Sequence, residues 1–264
     1  MKKISMLLAT AALVSLSAAS LAQEDEDAPE MYTYASYFTC DGGPLSAADD
    51  SIKEGAENMN SLVEDGTISR WGWLGHHTGG GWTRIFYHQA ESLDALLDAN
   101  AAIQGGGGDD DAAEDAGADA EADDAADDDT PPFGAVCNKH DDYIWQVENG
   151  NSSDARGTAG FSVYHLCDSS REERADEIVA EHVAPIMNGL VEDGSLTSWG
   201  WSSHVVGGKY RRLQTMTGAD HKSVLKARAA AIEAIYADDN EMGAELNDIC
   251  GSHVDYMWDI LMEK

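Results

Sequence analysis

The chain has 264 residues and a formal charge of −33, from 49 acidic residues against 16 Lys and Arg. Affinity for nucleic acid comes from clustered Lys and Arg that neutralise phosphates, so this charge excludes a phosphate-backbone binder and argues against an anionic membrane surface as partner. Hydrophobic residues make up 43% of the chain, which is enough for a folded core.

The N-terminus has the pattern of a secretory signal peptide, predicted over residues 1–22. Lys2 and Lys3 precede an apolar stretch, and small residues surround a predicted cleavage site after Ala22. No later segment offers about 18 consecutive apolar residues, so we expect no membrane insertion. The sequence therefore predicts a periplasmic or secreted protein, beginning with a short acidic tail over residues 23–30.

Two copies of one pattern follow, about 128 residues apart. Residues 62–66 (Leu-Val-Glu-Asp-Gly) recur at 190–194, and Trp71-Gly-Trp73 recurs as Trp199-Gly-Trp201. The further matches are Tyr37-x-x-Cys40 with Tyr164-x-x-Cys167, His76 with His204, Gly79-Gly80 with Gly207-Gly208, Arg84 with Arg212, and Cys137-x-x-His140-x-Asp142-Tyr143-x-Trp145 with Cys250-x-x-His253-x-Asp255-Tyr256-x-Trp258. An internal duplication explains these matches, with repeat 1 over 31–148, a linker over 149–158 and repeat 2 over 159–264.

Each copy shows the same series of predicted elements. In repeat 1 an aromatic strand is followed by a helix ending near Gly66, a Trp-rich strand, a glycine turn, a second strand, a second helix and a last strand. The predicted strands are 32–39, 68–74, 82–88 and 143–147 in repeat 1, and 196–201, 210–216 and 256–261 in repeat 2. Pro185 is expected to kink the first helix of repeat 2. The order β-α-β-β-α-β is that of a ferredoxin-like unit, which places the chain in the α+β class.

An acidic insertion distinguishes the two copies. Residues 105–132 carry 12 acidic residues, no Lys or Arg and no large apolar residue. Such a segment cannot bury enough apolar surface to offset its ordering entropy, so we expect a mobile loop.

Two tandem ferredoxin-like repeats resemble the dimeric α+β barrel superfamily, in which paired modules enclose a cavity. The resemblance lies in topology and covers nearly the whole mature chain. It implies repeats packed sheet to sheet as an intrachain α+β barrel, in a monomer or a homo-oligomer. The superfamily includes cofactor-free monooxygenases, isomerases, haem enzymes and haem-degrading enzymes, so no catalytic residue is carried over.

The four cysteines are expected to form one disulfide in each repeat, Cys40–Cys137 and Cys167–Cys250. Duplication selects this pairing, and the first and last strands of a ferredoxin-like unit lie side by side, which brings the paired residues together. A Cys/His metal site that uses His140 and His253 is the alternative, but export favours oxidation and we expect no metal.

Aromatic residues repeated on the strands suggest a pocket for a small apolar or aromatic molecule, while core packing beneath the helices is the other interpretation. The candidate ligand contacts are Trp71, Trp73, Trp199, Trp201, Arg84, Arg212, Tyr143, Tyr256, Trp145 and Trp258. The duplicated histidines His76, His204, His140 and His253 are the candidates for catalysis. We therefore expect a small-ligand-binding protein without a cofactor. A barrel-type enzyme, either a cofactor-free monooxygenase or isomerase or a haem-linked oxidoreductase, is the alternative.

Overall fold

The computed structural model describes residues 30–105, 130–237 and 240–264. The predicted signal peptide, residues 23–29 of the acidic tail and residues 106–129 of the insertion lie outside this part of the chain. None of the helices in the described ranges is long and apolar enough to span a membrane.

Eight antiparallel strands form a closed barrel in the order β1-β3-β2-β8-β5-β7-β6-β4. The strands are β1 (Met31–Thr39), β2 (Arg70–Thr78), β3 (Arg84–Ala90), β4 (Lys139–Ser152), β5 (Ala159–Leu166), β6 (Ser198–Val206), β7 (Arg212–Gly218) and β8 (Ser252–Glu263). The helices are α1 (Leu45–Glu64), α2 (Leu93–Gly105), α3 (Phe133–Val136), α4 (Glu172–Ile178), α5 (Ala184–Glu192), α6 (His221–Ile235) and α7 (Glu241–Cys250). The expected α+β class and intrachain barrel are observed.

The barrel closes where the two halves of the chain meet. Each half contributes four neighbouring strands, and the halves are joined by the pair β2·β8 and by the pair β4·β6, here called the β2·β8 seam and the β4·β6 seam. Both seams contain a shift of register: His77 on β2 and Val205 on β6 each lack a partner in the opposite strand. Such bulges turn individual side chains, and they lie at equivalent positions of the two halves.

The glycine turns that follow β2 and β6 contact the opposite half of the chain across these seams. Gly79 and Gly207 have φ values of 132° and 139°, which favour glycine. A Cβ atom on the next residue, Gly80, would collide with the Tyr256 ring of the other half, and a Cβ on Gly208 would collide with Tyr143 in the same way. The repeated glycines therefore make room for a tyrosine from the opposite half.

Three segments differ from the sequence-based expectation. Strand β4 continues to Ser152, through part of the predicted linker, because residues 149–152 pair with residues 198–201 of β6. The helix that contains Pro185 has a π-helical turn over Val179–Val183, which ends two residues before this proline and its missing N–H. Helix α7 was not predicted.

Both predicted disulfides are present. Cys40 follows β1 and is bonded to Cys137, which precedes β4, and Cys167 follows β5 and is bonded to Cys250 before β8. The four thiols are therefore not available as metal ligands, which removes the Cys/His alternative.

Candidate functional site

The barrel encloses a cavity of about 280 Å³. Alternate residues of a strand point to opposite faces, so every strand contributes side chains to this interior. The volume lies near the lower limit of ordinary ligand pockets and suits a small molecule.

Four large aromatic residues form the apolar wall of the cavity: Tyr37, Trp145, Tyr164 and Trp258. The indole N–H of Trp145 donates to the Tyr37 hydroxyl at 3.1 Å. The indole N–H of Trp258, at the equivalent position of the other half, is buried and has no acceptor among the described residues. Burial raises the pKa values of the Tyr37 and Tyr164 hydroxyls, so both stay protonated.

One end of the cavity is polar. Arg70, Tyr87 and Glu263 line it where β2, β3 and β8 meet. The Tyr87 hydroxyl donates to Glu263 Oε1, and the other carboxylate oxygen lies 3.5 Å from Arg156. Burial first, and then the charge of Glu263, raise the pKa of Tyr87 well above its ordinary value, so Tyr87 acts as a hydrogen-bond donor. Arg70 has no carboxylate of the described residues within 4.0 Å of its guanidinium nitrogens.

The positions related to these by the duplication, at and beside the β4·β6 seam, carry small residues. Ser198, Thr215 and Gly150 stand where the first set has Arg70, Tyr87 and Glu263, and all three line the same cavity. Arg70 and Glu263 at the β2·β8 seam, with Tyr87 on the neighbouring strand β3, thus supply the charged and phenolic groups. The small residues on the β4·β6 side leave space in the cavity beside them.

Aromatic rings fill the opposite end of the barrel. Trp82 stacks on Tyr37 with ring centroids 4.4 Å apart and on Tyr256 at 5.2 Å. Tyr143 and Tyr210 complete this group at 6.4 and 5.9 Å from Trp82. The cavity is therefore bounded at this end by packed rings, and it extends toward the end that carries Arg70.

The candidate ligand contacts divide between the two faces of the barrel wall. Trp145 and Trp258 line the cavity, and Tyr143 and Tyr256 pack in the interior cluster. The four indoles of the Trp-Gly-Trp motifs instead pack beneath the helices, where their N–H groups donate to helix side chains; only Trp199 also touches the cavity wall. Trp71, Trp73, Trp199 and Trp201 are bonded in this way to Asn60, Asp49, Asn188 and Asp176. The residues of the Trp-Gly-Trp motifs thus lie between the sheet and the helices, whereas the tyrosine and tryptophan of β4 and of β8 lie inside the barrel.

The two repeated arginines bind carboxylates of the helices in place of a ligand. Arg84 makes two hydrogen bonds to Asp49 at 2.7 and 2.8 Å, and Arg212 makes two to Asp176 at 2.7 and 2.6 Å. Arg212 also contacts Glu172 at 3.0 Å. Of the two roles that the sequence left open for these candidate ligand contacts, the structure shows pairing with acidic residues of the chain: both guanidinium groups lie on the outer face of the sheet, under α1 or α4.

These ion pairs lower the pKa values of two of the carboxylates. Burial alone would raise the pKa of Asp49, but hydrogen bonds from Arg84 and Trp73 and the Arg84 charge outweigh it, and the pKa lies below its usual value. The pKa of Glu172 is also lowered, since Arg211 and Arg212 outweigh the effect of burial. Both groups therefore favour the charged form in the folded protein.

The four candidate histidines lie outside the cavity. His76 and His204 lie in the seams, each with its ring centroid 6.0 Å from that of a tryptophan of the other half in an edge-to-face arrangement. Each has a buried Nε2 without a partner among the described residues. Burial and then Arg211 lower the pKa of His204. His140 and His253 are exposed and lie 3.0 and 3.5 Å from Asp142 and Asp255.

The cavity wall offers haem, the alternative cofactor, neither histidine nor cysteine as an axial ligand. All nine histidines of the chain are in the described ranges, and none of them lines the cavity. The cysteines are bonded in pairs. Tyrosine and methionine, which ligate haem iron in some proteins, do line the cavity, as Met31, Tyr37, Tyr87, Tyr164 and Met216.

Sequence reasoning missed the polar end of the cavity. Arg70, Tyr87 and Glu263 do not recur in the other copy, and a search for repeated residues passes over them. Tyr37 and Tyr164 did recur, next to the disulfide cysteines, and this repetition was the available signal for the inner wall.

No family model matches the chain, and no curated protein sequence matches it. Its barrel is similar to a solved protein of Lactobacillus acidophilus, provisionally assigned as a monooxygenase, with a TM-score of 0.56, 9% identity, and 89% of this chain and 95% of that chain covered. A provisionally assigned monooxygenase of Fusobacterium nucleatum matches with a TM-score of 0.55, 9% identity and coverage of 90% and 95%. A variant of chlorite dismutase from Candidatus Nitrospira defluvii gives 0.52, 9% identity and coverage of 88% and 92%. These structures are dimeric α+β barrel proteins, and the chain has their fold.

Proposed function

We propose that the protein is an exported, disulfide-stabilised binding protein, built from two tandem ferredoxin-like repeats, whose barrel cavity takes a small aromatic molecule that carries an anionic group. The observation that carries the proposal is the pairing of an aromatic wall with Arg70 in one cavity. Trp145 and Trp258 offer flat apolar surface, and Arg70 is a cation without a carboxylate partner among the described residues.

The polar end favours an anion on the ligand. A guanidinium binds a carboxylate through two parallel hydrogen bonds, which gives both orientation and energy. Tyr87 is already committed to Glu263. Arg70 is therefore the group that selects charge, and the aromatic wall selects shape.

A matched pair of probes tests this proposal. We expect 2-naphthoate to quench the tryptophan fluorescence of the full-length protein and 2-naphthalenemethanol, the uncharged counterpart, to bind more weakly. Arg70→Gln should weaken naphthoate binding by about 10-fold or more and leave the alcohol unchanged, because a hydrogen bond to a charged group contributes roughly 1.5–3 kcal/mol.

Arg171→Gln is the matched control, since Arg171 pairs with Asp248 on the surface. Ala35→Phe, which places a ring in the cavity, should abolish binding of both probes. Binding of neither probe by the wild type, or equal binding by the wild type and both cavity variants, would contradict the proposal.

Export has its own test. Expression of the full chain in a Gram-negative host should yield a product in the periplasm or medium that begins at Gln23, as read by N-terminal sequencing. A product that retains Met1 in the cytoplasm would refute this part of the proposal.

A proton-transfer enzyme of the isomerase type is the second candidate, and Glu263 is the observation that favours it. Its carboxylate lines the cavity beside Arg70, where it can accept a proton from a bound substrate and return it to another carbon. The histidines do not reach this position. Deuterium exchange at an acidic C–H of a bound aromatic ketone, lost in Glu263→Gln, would support catalysis; exchange that is the same in the variant would exclude Glu263 as the base.

A further inference from the structure

A second cluster of polar groups lies on the outer surface of the β2·β8 seam. His77 is on β2, Asp259 is on β8 and His221 is the first residue of α6. Their potential ligand atoms all lie within 4.8 Å of one another. None of these residues lines the barrel cavity, so the cluster is independent of the proposed ligand site.

The distances match those of a tetrahedral metal site. His77 Nδ1 and His221 Nε2 each lie 3.3 Å from Asp259 Oδ1. Ligand atoms that surround zinc tetrahedrally at about 2.0–2.1 Å are about 3.3–3.4 Å from each other. Two of the three donor separations are thus those of a tetrahedral metal site, and the third, between the two imidazoles, lies within 4.8 Å.

The two rings would have to turn relative to each other to receive a metal ion. The imidazoles are stacked with centroids 3.7 Å apart and an interplanar angle of 20°. A coordinated ion lies in the plane of each imidazole, so binding requires a rotation of at least one of these half-exposed side chains. A metal ion needs the neutral form, and the Asp259 carboxylate supplies the negative charge that a dication prefers.

The β4·β6 seam has the same backbone without these donors. Val205 occupies the equivalent bulge on β6, Leu93 is the first residue of α2, and Gln146 takes the place of Asp259 on β4. Leu93 and Val205 pack against one apolar cluster. The fold therefore does not require histidine or aspartate at these positions.

We propose that His77, His221 and Asp259 form a binding site for a divalent transition metal of the zinc class. Three protein ligands leave a fourth position to water, as in zinc sites that remain open. His77 belongs to the first half of the chain and the other two ligands to the second half. A bound ion therefore clamps the β2·β8 seam from outside.

The site is accessible to metal from solvent. The His77, Asp259 and His221 side chains are 45%, 46% and 24% exposed. The His221 Nε2 atom also lies 3.2 Å from the Trp258 carbonyl oxygen, which holds the ring in its present orientation when no metal is bound.

Zinc titration of the untagged full-length protein tests the proposal. The protein is first stripped with a chelator and then titrated calorimetrically with ZnCl₂ in excess Mg²⁺, which occupies hard carboxylate sites such as those of the acidic insertion. We expect one equivalent of zinc to bind the wild type. The variants His77→Val, His221→Leu and Asp259→Gln, which copy the other half, should each bind at least about 10-fold more weakly.

The control is His140→Gln with Asp142→Asn, which removes a different exposed His–Asp pair whose atoms are 3.0 Å apart. It should bind zinc as the wild type does. Thermal unfolding gives a second measurement: zinc should raise the midpoint of the wild type and the control and leave that of His77→Val unchanged. Equal zinc binding by the three seam variants and the wild type, or loss of binding in the control, would overturn the proposal.

Discussion

The two seams of the barrel have the same backbone and different side chains. Inside the barrel, the β2·β8 seam carries Arg70 and Glu263, and the β4·β6 seam carries Ser198 and Gly150 at the equivalent positions. Outside, the first seam carries the cluster around His77, and the second carries Val205 in the same bulge. Groups that can bind a ligand or an ion are thus concentrated at one seam, on both of its faces.

What remains identical in the two halves is the packing between helix and sheet. Trp73 and Arg84 share Asp49 in the first half, and Trp201 and Arg212 share Asp176 in the second. The contacts to these two carboxylates agree in length within about 0.2 Å, and the contact of Arg212 to Glu172 is an addition in the second half. In this molecule repetition marks the framework, and the residues that break the repetition are the better candidates for function.

The largest expected effect tests the repeated framework. Arg84→Met and Arg212→Met should each lower the free energy of unfolding by about 3–5 kcal/mol, because each leaves a helix carboxylate without its buried partner. Arg212→Met should have the greater effect, since Arg212 contacts both Asp176 and Glu172. Urea unfolding followed by tryptophan fluorescence measures both values.

A surface arginine is the control for this pair. Arg174 binds Glu177 and Glu245 with a side chain that is 36% exposed, so Arg174→Met should cost at most about 1 kcal/mol. If the three variants were equally stable, the repeated ion pairs would not be part of the framework, and the comparison of the halves would lose its basis.

The fold was accessible from the sequence because duplication shows each element twice. The apolar spacing of α1, the glycine turns and the cysteine pairing all follow from local patterns, and the structure agrees with them. The end of β4 could not be predicted from the sequence, because residues 149–152 have the composition of a polar linker and form a strand only by pairing with β6. That pairing is a long-range interaction, which local propensity does not register.

The site was less accessible than the fold, for a related reason. Repetition drew attention to Arg84 and Arg212, whose partners on the helices could not be inferred from spacing along the chain. Arg70 and His77 occur once and therefore had no such mark. Alternation along β2 predicts that Trp73 and Leu74 lie on opposite faces of the sheet. Which of the two faces points into the cavity is decided by closure of the barrel, which the sequence pattern does not show.

A second prediction concerns a buried histidine that only one half possesses. His88 on β3 is fully buried beside Tyr34, and Met216 takes its place on β7. Burial lowers the pKa of His88 to about 4 from an ordinary value near 6.5. In the unfolded chain His88 therefore binds a proton below about pH 6.5, whereas in the folded protein it binds one only below about pH 4. Stability contributed by the neutral ring is complete above pH 6.5 and is lost as the pH falls, by about 3 kcal/mol at pH 4.

His88→Met, which copies the other half, removes this dependence. We expect the free energies of unfolding of the variant and the wild type to be similar at pH 7.5 and to diverge by about 3 kcal/mol in favour of the variant at pH 4. The acidic residues titrate in both proteins, so the difference between the two curves isolates His88. Parallel curves over this range would show that the ring is protonated in the folded protein.

The smallest expected effect compares the two tryptophans that line the cavity. Trp145 and Trp258 are both fully buried, and each stacks on a tyrosine with centroids 5.0 Å apart. Substitution by phenylalanine removes the same volume from each site, so the costs of the two cavities cancel in the difference. What differs is the indole N–H, which donates to Tyr37 from Trp145 and has no acceptor among the described residues at Trp258. Trp145→Phe should therefore be less stable than Trp258→Phe by about 1–2 kcal/mol.

Ligand binding should reverse the order of these two variants. If the cavity accepts an anionic aromatic molecule, the N–H of Trp258 is the donor that such a ligand can use, while that of Trp145 is already occupied. Trp258→Phe is then expected to weaken 2-naphthoate binding by about 5-fold or more, and Trp145→Phe by less, since one neutral hydrogen bond contributes about 1 kcal/mol. Calorimetric titration of both variants measures this difference without relying on tryptophan fluorescence. Equal affinities, together with the expected difference in stability, would place the ligand away from Trp258 and toward the β4·β6 seam, where Ser198 and Gly150 replace Arg70 and Glu263.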